Sequence, residues 1–209
     1  MKKLFIAIVF VVAIPLNLFA QEQANKPDYK DGDFWQYKVT EKGFRQQSTT
    51  ALNGVYELTY RPDRIVMRLE GGEKSEVRQA VGELRRMLAI EDVRELLQFP
   101  LSVGKKWSTH FEQETNSTAN RKLATETNVT GFEEITTPAG KFRAFKIERW
   151  GSAGSIPSSG RRAGSRTRNY EWTYYYSPQT QSIVKYTYSD EEGGTREIEL
   201  VKFTAKKPD

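Results

Sequence analysis

Cysteine is absent from all 209 residues of the chain, which excludes disulfides, thiolate metal sites and cysteine nucleophiles together. It also excludes lipid attachment to an N-terminal cysteine. Histidine occurs once, at His110, so a zinc site built from several imidazoles cannot be completed. A serine triad would have to take His110 as its base, and no Gly-x-Ser-x-Gly elbow accompanies it. Gly71-Gly72 and Gly193-Gly194 precede no lysine-serine pair, which removes a phosphate-cradling loop. Excess charge is also lacking: 32 basic residues against 27 acidic ones give +5, a balance that does not imply nucleic acid. Paired carboxylates such as Asp31 with Asp33 or Glu133 with Glu134 are the chemistry left over. At this acidic content such pairs arise by chance, on solvated turns and edges. No catalytic residue, metal or cofactor is expected.

Long apolar runs are limited to Leu4 to Ile14, preceded by Lys2 and Lys3 and followed by Pro15 and Leu18-Phe19-Ala20. The run is too short to span a bilayer, which needs about 20 apolar residues. The order of basic, apolar and small residues reads as a cleavable export signal. Residues 1–20 are therefore expected as a signal-peptide helix, removed after Ala20 to leave Gln21 first. Loss of Lys2 and Lys3 takes their two charges from +5 to +3. The expected product is exported to the periplasm or beyond, with no lipid anchor and no transmembrane span.

Residues 21–31 are polar and read as a flexible leader into one β-rich domain over 32–205. Period-two alternation dominates from Phe34 onward, with Trp35, Tyr37 and Val39 on one strand face. Tyr56, Leu58 and Tyr60 repeat it after Asn53-Gly54, and Ile65, Met67 and Leu69 repeat it between Pro62-Asp63 and Gly71-Gly72. Further alternating sets run through Trp107, Thr109 and Phe111, through Leu123 to Val129, and through Phe145 and Ile147. Trp172, Tyr174 and Tyr176, then Val184, Tyr186 and Tyr188, then Ile198 and Leu200 complete the series. Turn signals at Thr137-Pro138-Ala139-Gly140, Ser177-Pro178 and Glu192-Gly193-Gly194 are too short for crossover helices, so neighbouring strands must be antiparallel. The middle differs: Ile90, Val93 and Leu97 share a helical face, which predicts a short helix over Glu91 to Gln98 ahead of Pro100. Val77 to Leu88 fits either a helix or a strand, with Gly82 weakening the helix. The fold class expected is mainly β, a curved antiparallel meander resembling a half-barrel, with one or two short helices.

Gly32-Asp33-Phe34-Trp35 is echoed by Gly104-Lys105-Lys106-Trp107, which raises two similar halves, 32–100 and 101–205, as an alternative organisation. These two segments, together with Phe99-Pro100-Leu101-Ser102-Val103, Thr137-Pro138-Ala139-Gly140-Lys141-Phe142 and Tyr174-Tyr175-Tyr176-Ser177-Pro178, carry a resemblance. Over Tyr29 to Phe203 the chain resembles exported bacterial proteins of the domain-of-unknown-function class. Their architecture is similar to the curved β half-barrel of periplasmic lipoprotein carriers. The resemblance implies a fold and transfers no catalytic residue.

Two surfaces are candidates for binding. Trp35, Tyr37, Trp107, Phe111, Trp172, Tyr174, Tyr176 and Tyr186 alternate on strands, so a curved sheet can gather them on one concave face. They then form either the core or an apolar ligand pocket edged by tyrosine hydroxyls. The second surface is Gly151 to Arg168, rich in glycine and serine and carrying Arg161, Arg162, Arg166 and Arg168. Such a segment cannot offset its ordering entropy by burial, and it reads as a mobile loop, either a solvated hairpin connection or a basic flap for an acidic envelope partner. The expectation is a non-enzymatic exported protein that binds a lipid or other amphipathic envelope ligand. A carboxylate-dependent hydrolase of envelope material and a structural, partner-binding module are the alternatives.

Overall fold

The computed structural model describes residues 22–43, 53–70, 87, 96–116, 119–157 and 167–204. Among these residues eleven strands form: β1 (Gln23–Ala24), β2 (Phe34–Lys42), β3 (Gly54–Arg61), β4 (Arg64–Leu69), β5 (Leu101–Ser102), β6 (Lys106–Asn116), β7 (Ala119–Thr137), β8 (Gly140–Pro157), β9 (Thr167–Ser177), β10 (Ser182–Asp190) and β11 (Thr195–Thr204). Nine of them make one open antiparallel sheet in the order β4-β3-β2-β11-β10-β9-β8-β7-β6. The fold is thus mainly β, a curved meander whose edges β4 and β6 do not meet. The segment read as a leader carries β1, which pairs with β5 and buries Ala24.

Short turns set the meander. Pro62-Asp63 closes β3 on β4 with Arg61 opposite Arg64, and Pro138-Ala139 closes β7 on β8 with Thr137 opposite Gly140. Proline at the first corner presets the backbone angle that such a turn needs. Within the nine-stranded sheet the join between strands distant in sequence is that of β2 and β11, which pair from Phe34 with Thr204 to Lys42 with Thr195. The Gly-to-Trp echo has a local cause: Gly32 and Gly104 sit at φ of +89° and +88°, turning the chain into β2 and β6. That region of φ costs glycine little and other residues much. β2 lies inside the sheet and β6 at its edge.

Across the register one row of inner-face side chains runs Val39, Ile198, Tyr186, Tyr174, Ile147 and Val129, all buried. A neighbouring row brings Tyr37 beside Tyr56 and Leu200. Curvature is visible where Phe142 on β8 meets Phe203 on β11 at 5.6 Å between ring centroids. Those strands are three positions apart, about 14 Å in a flat sheet. The β7–β8 turn also folds across this face, and Ala139 N donates to Leu200 O at 3.1 Å.

Two expectations change. The helix expected over Glu91 to Gln98 falls mostly outside the described residues, and Leu96 to Gln98 adopt no regular structure. Of Val77 to Leu88 only Met87 is described, helical and buried. Part of the segment read as a mobile flap is strand, because Gly151 to Pro157 belong to β8 and Thr167 and Arg168 to β9, and residues 158–166 lie outside the described residues. Hydrogen bonding on both sides compensates there for weak burial: Gly151 pairs with Thr125 and with Tyr170. Arg161, Arg162 and Arg166 lie outside the described residues.

Candidate functional site

The eight aromatic residues expected on the concave face separate into two groups. Trp35, Tyr37, Tyr174, Tyr176 and Tyr186 are buried, as is Trp107. Trp35 is locked further, since its Nε1 donates to Thr180 O at 2.9 Å and its ring meets Tyr29 edge-on at 5.3 Å. Burial pushes the hydroxyls of Tyr37 and Tyr176 above the ordinary tyrosine value, as expected where the phenolate would lose its water. These rings pack together in the interior. Phe111 stands opposite Leu123 on β6, and its side chain lies outside the described set.

Trp172 behaves differently. It is half-buried at the end of the inner face and is stacked with Tyr170 at 5.6 Å, with Tyr188 at 6.0 Å from both rings. All three are only partly covered. Two guanidiniums border this aromatic shelf: that of Arg149 lies 6.0 Å from the Trp172 ring centroid and that of Arg196 6.0 Å from that of Tyr188. Arg196 also pairs with Glu41. The Tyr188 hydroxyl, raised by burial and then by the Asp190 carboxylate, donates to Asp190 Oδ2 at 3.2 Å.

Beyond the shelf the inner face becomes polar. Arg149 is 4% exposed, and its Nη2 donates to Thr125 Oγ1 at 2.7 Å. Thr127 lies opposite Arg149, and Thr109 lies opposite Thr125. The hydroxyls of Thr109 and Thr127 are buried and have no hydrogen-bond partner among the described residues. An unpaired buried hydroxyl costs about 1–3 kcal/mol, and one of these two stands directly across the strand pair from the buried Arg149.

Sequence reasoning reached Trp172 and missed Tyr170, Arg149 and the threonines. The signal was present in the alternation: Ile147 faces inward, so Arg149 must as well, and Trp150 must face out. Arg168 pairs with Glu192 at 3.3 Å. His110 is exposed on the outer face of β6. Among the described residues no group of histidine and acidic side chains could hold a metal ion, and no helix is long and apolar enough to cross a membrane.

No family model matches the chain, and no curated protein matches it. Solved structures do. A candidate lipoprotein from Parabacteroides distasonis ATCC 8503 is 12% identical with a TM-score of 0.48, over 88% of this chain and 100% of that one. The hypothetical lipoprotein YmcC from Escherichia coli K12 is 11% identical with a TM-score of 0.41, over 83% and 86% of the two chains. A candidate exported protein with a YmcC-like fold from Bacteroides fragilis NCTC 9343 is 9% identical with a TM-score of 0.41, over 87% and 99%.

Proposed function

We propose that this is an exported binding protein for an amphipathic envelope ligand, of lipid type, and that it carries out no chemistry on it. The ligand's apolar part lies on the shelf of Tyr170, Trp172 and Tyr188, and its polar head reaches the Arg149 guanidinium and the Thr109 and Thr127 hydroxyls. The observation that carries this reading is the pair of buried threonine hydroxyls without partners beside Arg149. An anionic or hydroxyl-bearing head would accept their hydrogen bonds and offset the cost of burying them. The packed centre around Trp35 and Tyr37 then serves as the rigid wall of the site. Export is supported by Lys2-Lys3, the Leu4 to Ile14 run and Ala20, and it sets the ligand pool in the cell envelope.

The test is native mass spectrometry of protein isolated from its own envelope, followed by titration with anionic phospholipid vesicles. The expected result is a lipid adduct on the unmodified chain that falls at least about tenfold when Tyr170 and Trp172 are both replaced by alanine, with the circular dichroism spectrum retained. Such a loss corresponds to the roughly 1.5 kcal/mol or more that two buried aromatic contacts supply. An adduct-free protein that also fails to take up phospholipid overturns the proposal, and a co-purifying polypeptide would replace it with the partner-binding alternative.

A further inference from the structure

The opposite face of the same strands carries a second feature. Trp150 is 44% exposed, one of only two large apolar side chains so exposed among the described residues. It sits between two carboxylates along the register, opposite Glu126 on β7 and opposite Glu171 on β9. Side chains at successive positions across a sheet lie about 5 Å apart at Cβ, so both acids flank the indole closely. Around them is an open groove of about 390 Å³, lined also by His110, Ser152 and Asn169. Neither Glu126 nor Glu171 has an ion-pair partner among the described residues, in contrast to Glu148, which is held by Lys146 at 2.6 Å.

An exposed indole costs solubility and gains nothing from the interior, and its neighbours decide what it suits. The face of an indole ring attracts a cation through its quadrupole, tryptophan most strongly among the aromatic residues. A carboxylate on either side adds charge of the complementary sign and repels anions. We infer that the groove around Trp150 binds a compact organic cation, an alkylammonium group of a small molecule or headgroup, with the indole beneath it and Glu126 and Glu171 at its sides. The site is separate from the inner-face shelf, because Arg149 and Trp150 are consecutive on β8 and project to opposite faces of the sheet.

The experiment is calorimetric titration of the full exported chain with choline and, in parallel, with its neutral isostere dimethylbutanol. Choline is expected to bind at millimolar or lower concentration, and the isostere at least roughly tenfold more weakly. Replacing Trp150 with alanine should weaken choline binding by roughly 2- to 30-fold, and E126Q combined with E171Q should weaken it further while removing its sensitivity to salt. The glutamine pair keeps shape and strand pairing, so it remains informative if Trp150→Ala fails to fold. Equal binding of choline and its isostere, no binding of either, or binding indifferent to the glutamine pair would each overturn the inference. Phospholipid uptake on the inner face is read separately and does not depend on this outcome.

Discussion

Trp35 combines complete burial with one directed contact, the 2.9 Å hydrogen bond from its Nε1 to Thr180 O. Phenylalanine in its place would fill most of the volume and leave that buried carbonyl oxygen without its donor. Trp35→Phe is expected to cost about 1–3 kcal/mol and Trp35→Ala about 3–5 kcal/mol through the cavity left behind, both read from urea denaturation midpoints. The alternation around Trp35 was legible because a half-buried strand repeats every two residues, and Tyr37 and Val39 obey it without interruption. Arg149 was harder to see. Its neighbour Trp150 suggests an apolar inside position by residue type, yet the sheet buries the arginine and exposes the tryptophan. Hydrophobicity alone ranks residues in the wrong order where strand alternation decides which side chain is buried.

At the scale of elements, turns were the most readable feature, since Pro62-Asp63 and Pro138-Ala139 act through backbone angles that the residues themselves fix. Gly151 to Arg168 misled for a related reason: glycine and serine weaken a strand on average, but pairing on both sides can hold them in it. The same segment explains why glycine is needed at one point. A Cβ on Gly151 would stand 2.6 Å from Thr125 Cγ2, 2.8 Å from Ala124 O and 3.1 Å from Trp172 Cζ3. Gly151→Ala should therefore lower stability by about 1–3 kcal/mol, measured as a fall in the thermal midpoint. It should also disturb the shelf, because Trp172 is one of the groups that would have to move. The helix expected over Glu91 to Gln98 and the ambiguous Val77 to Leu88 lie largely outside the described residues. Short apolar repeats over Val77 to Leu88 suit more than one period, which is why the sequence leaves that segment open.

For the whole molecule, buried and partly buried tyrosines tie stability to alkaline pH. Tyr29, Tyr37, Tyr176 and Tyr188 all have hydroxyls raised above the ordinary value of 10.0, burial being the largest cause in each. The folded protein therefore holds these protons more tightly than the unfolded chain does. Their contribution is complete below about pH 10, where both states are protonated, and it is lost as pH rises beyond that toward the folded-state values. Denaturation midpoints should be flat near neutrality and fall steeply above about pH 10. Tyrosinate absorbance of the buried group should appear together with loss of the β-sheet signal; early, independent ionisation of every tyrosine would contradict this account.

The pairing of β2 with β11 has a consequence in time. The first strand of the large sheet, β2, pairs on one side with the next strand, β3, but finds its second neighbour only in the last ten-residue strand, Thr195 to Thr204. Until that strand has been synthesised, β2 to β4 and β6 to β10 are two ribbons with no shared ladder between them. Each has an open edge, β2 in one and β10 in the other, that only β11 fills. Contacts between the two ends of a chain are slow to form, so the last segment acts as a closing stitch and the polypeptide stays loose while it is being made.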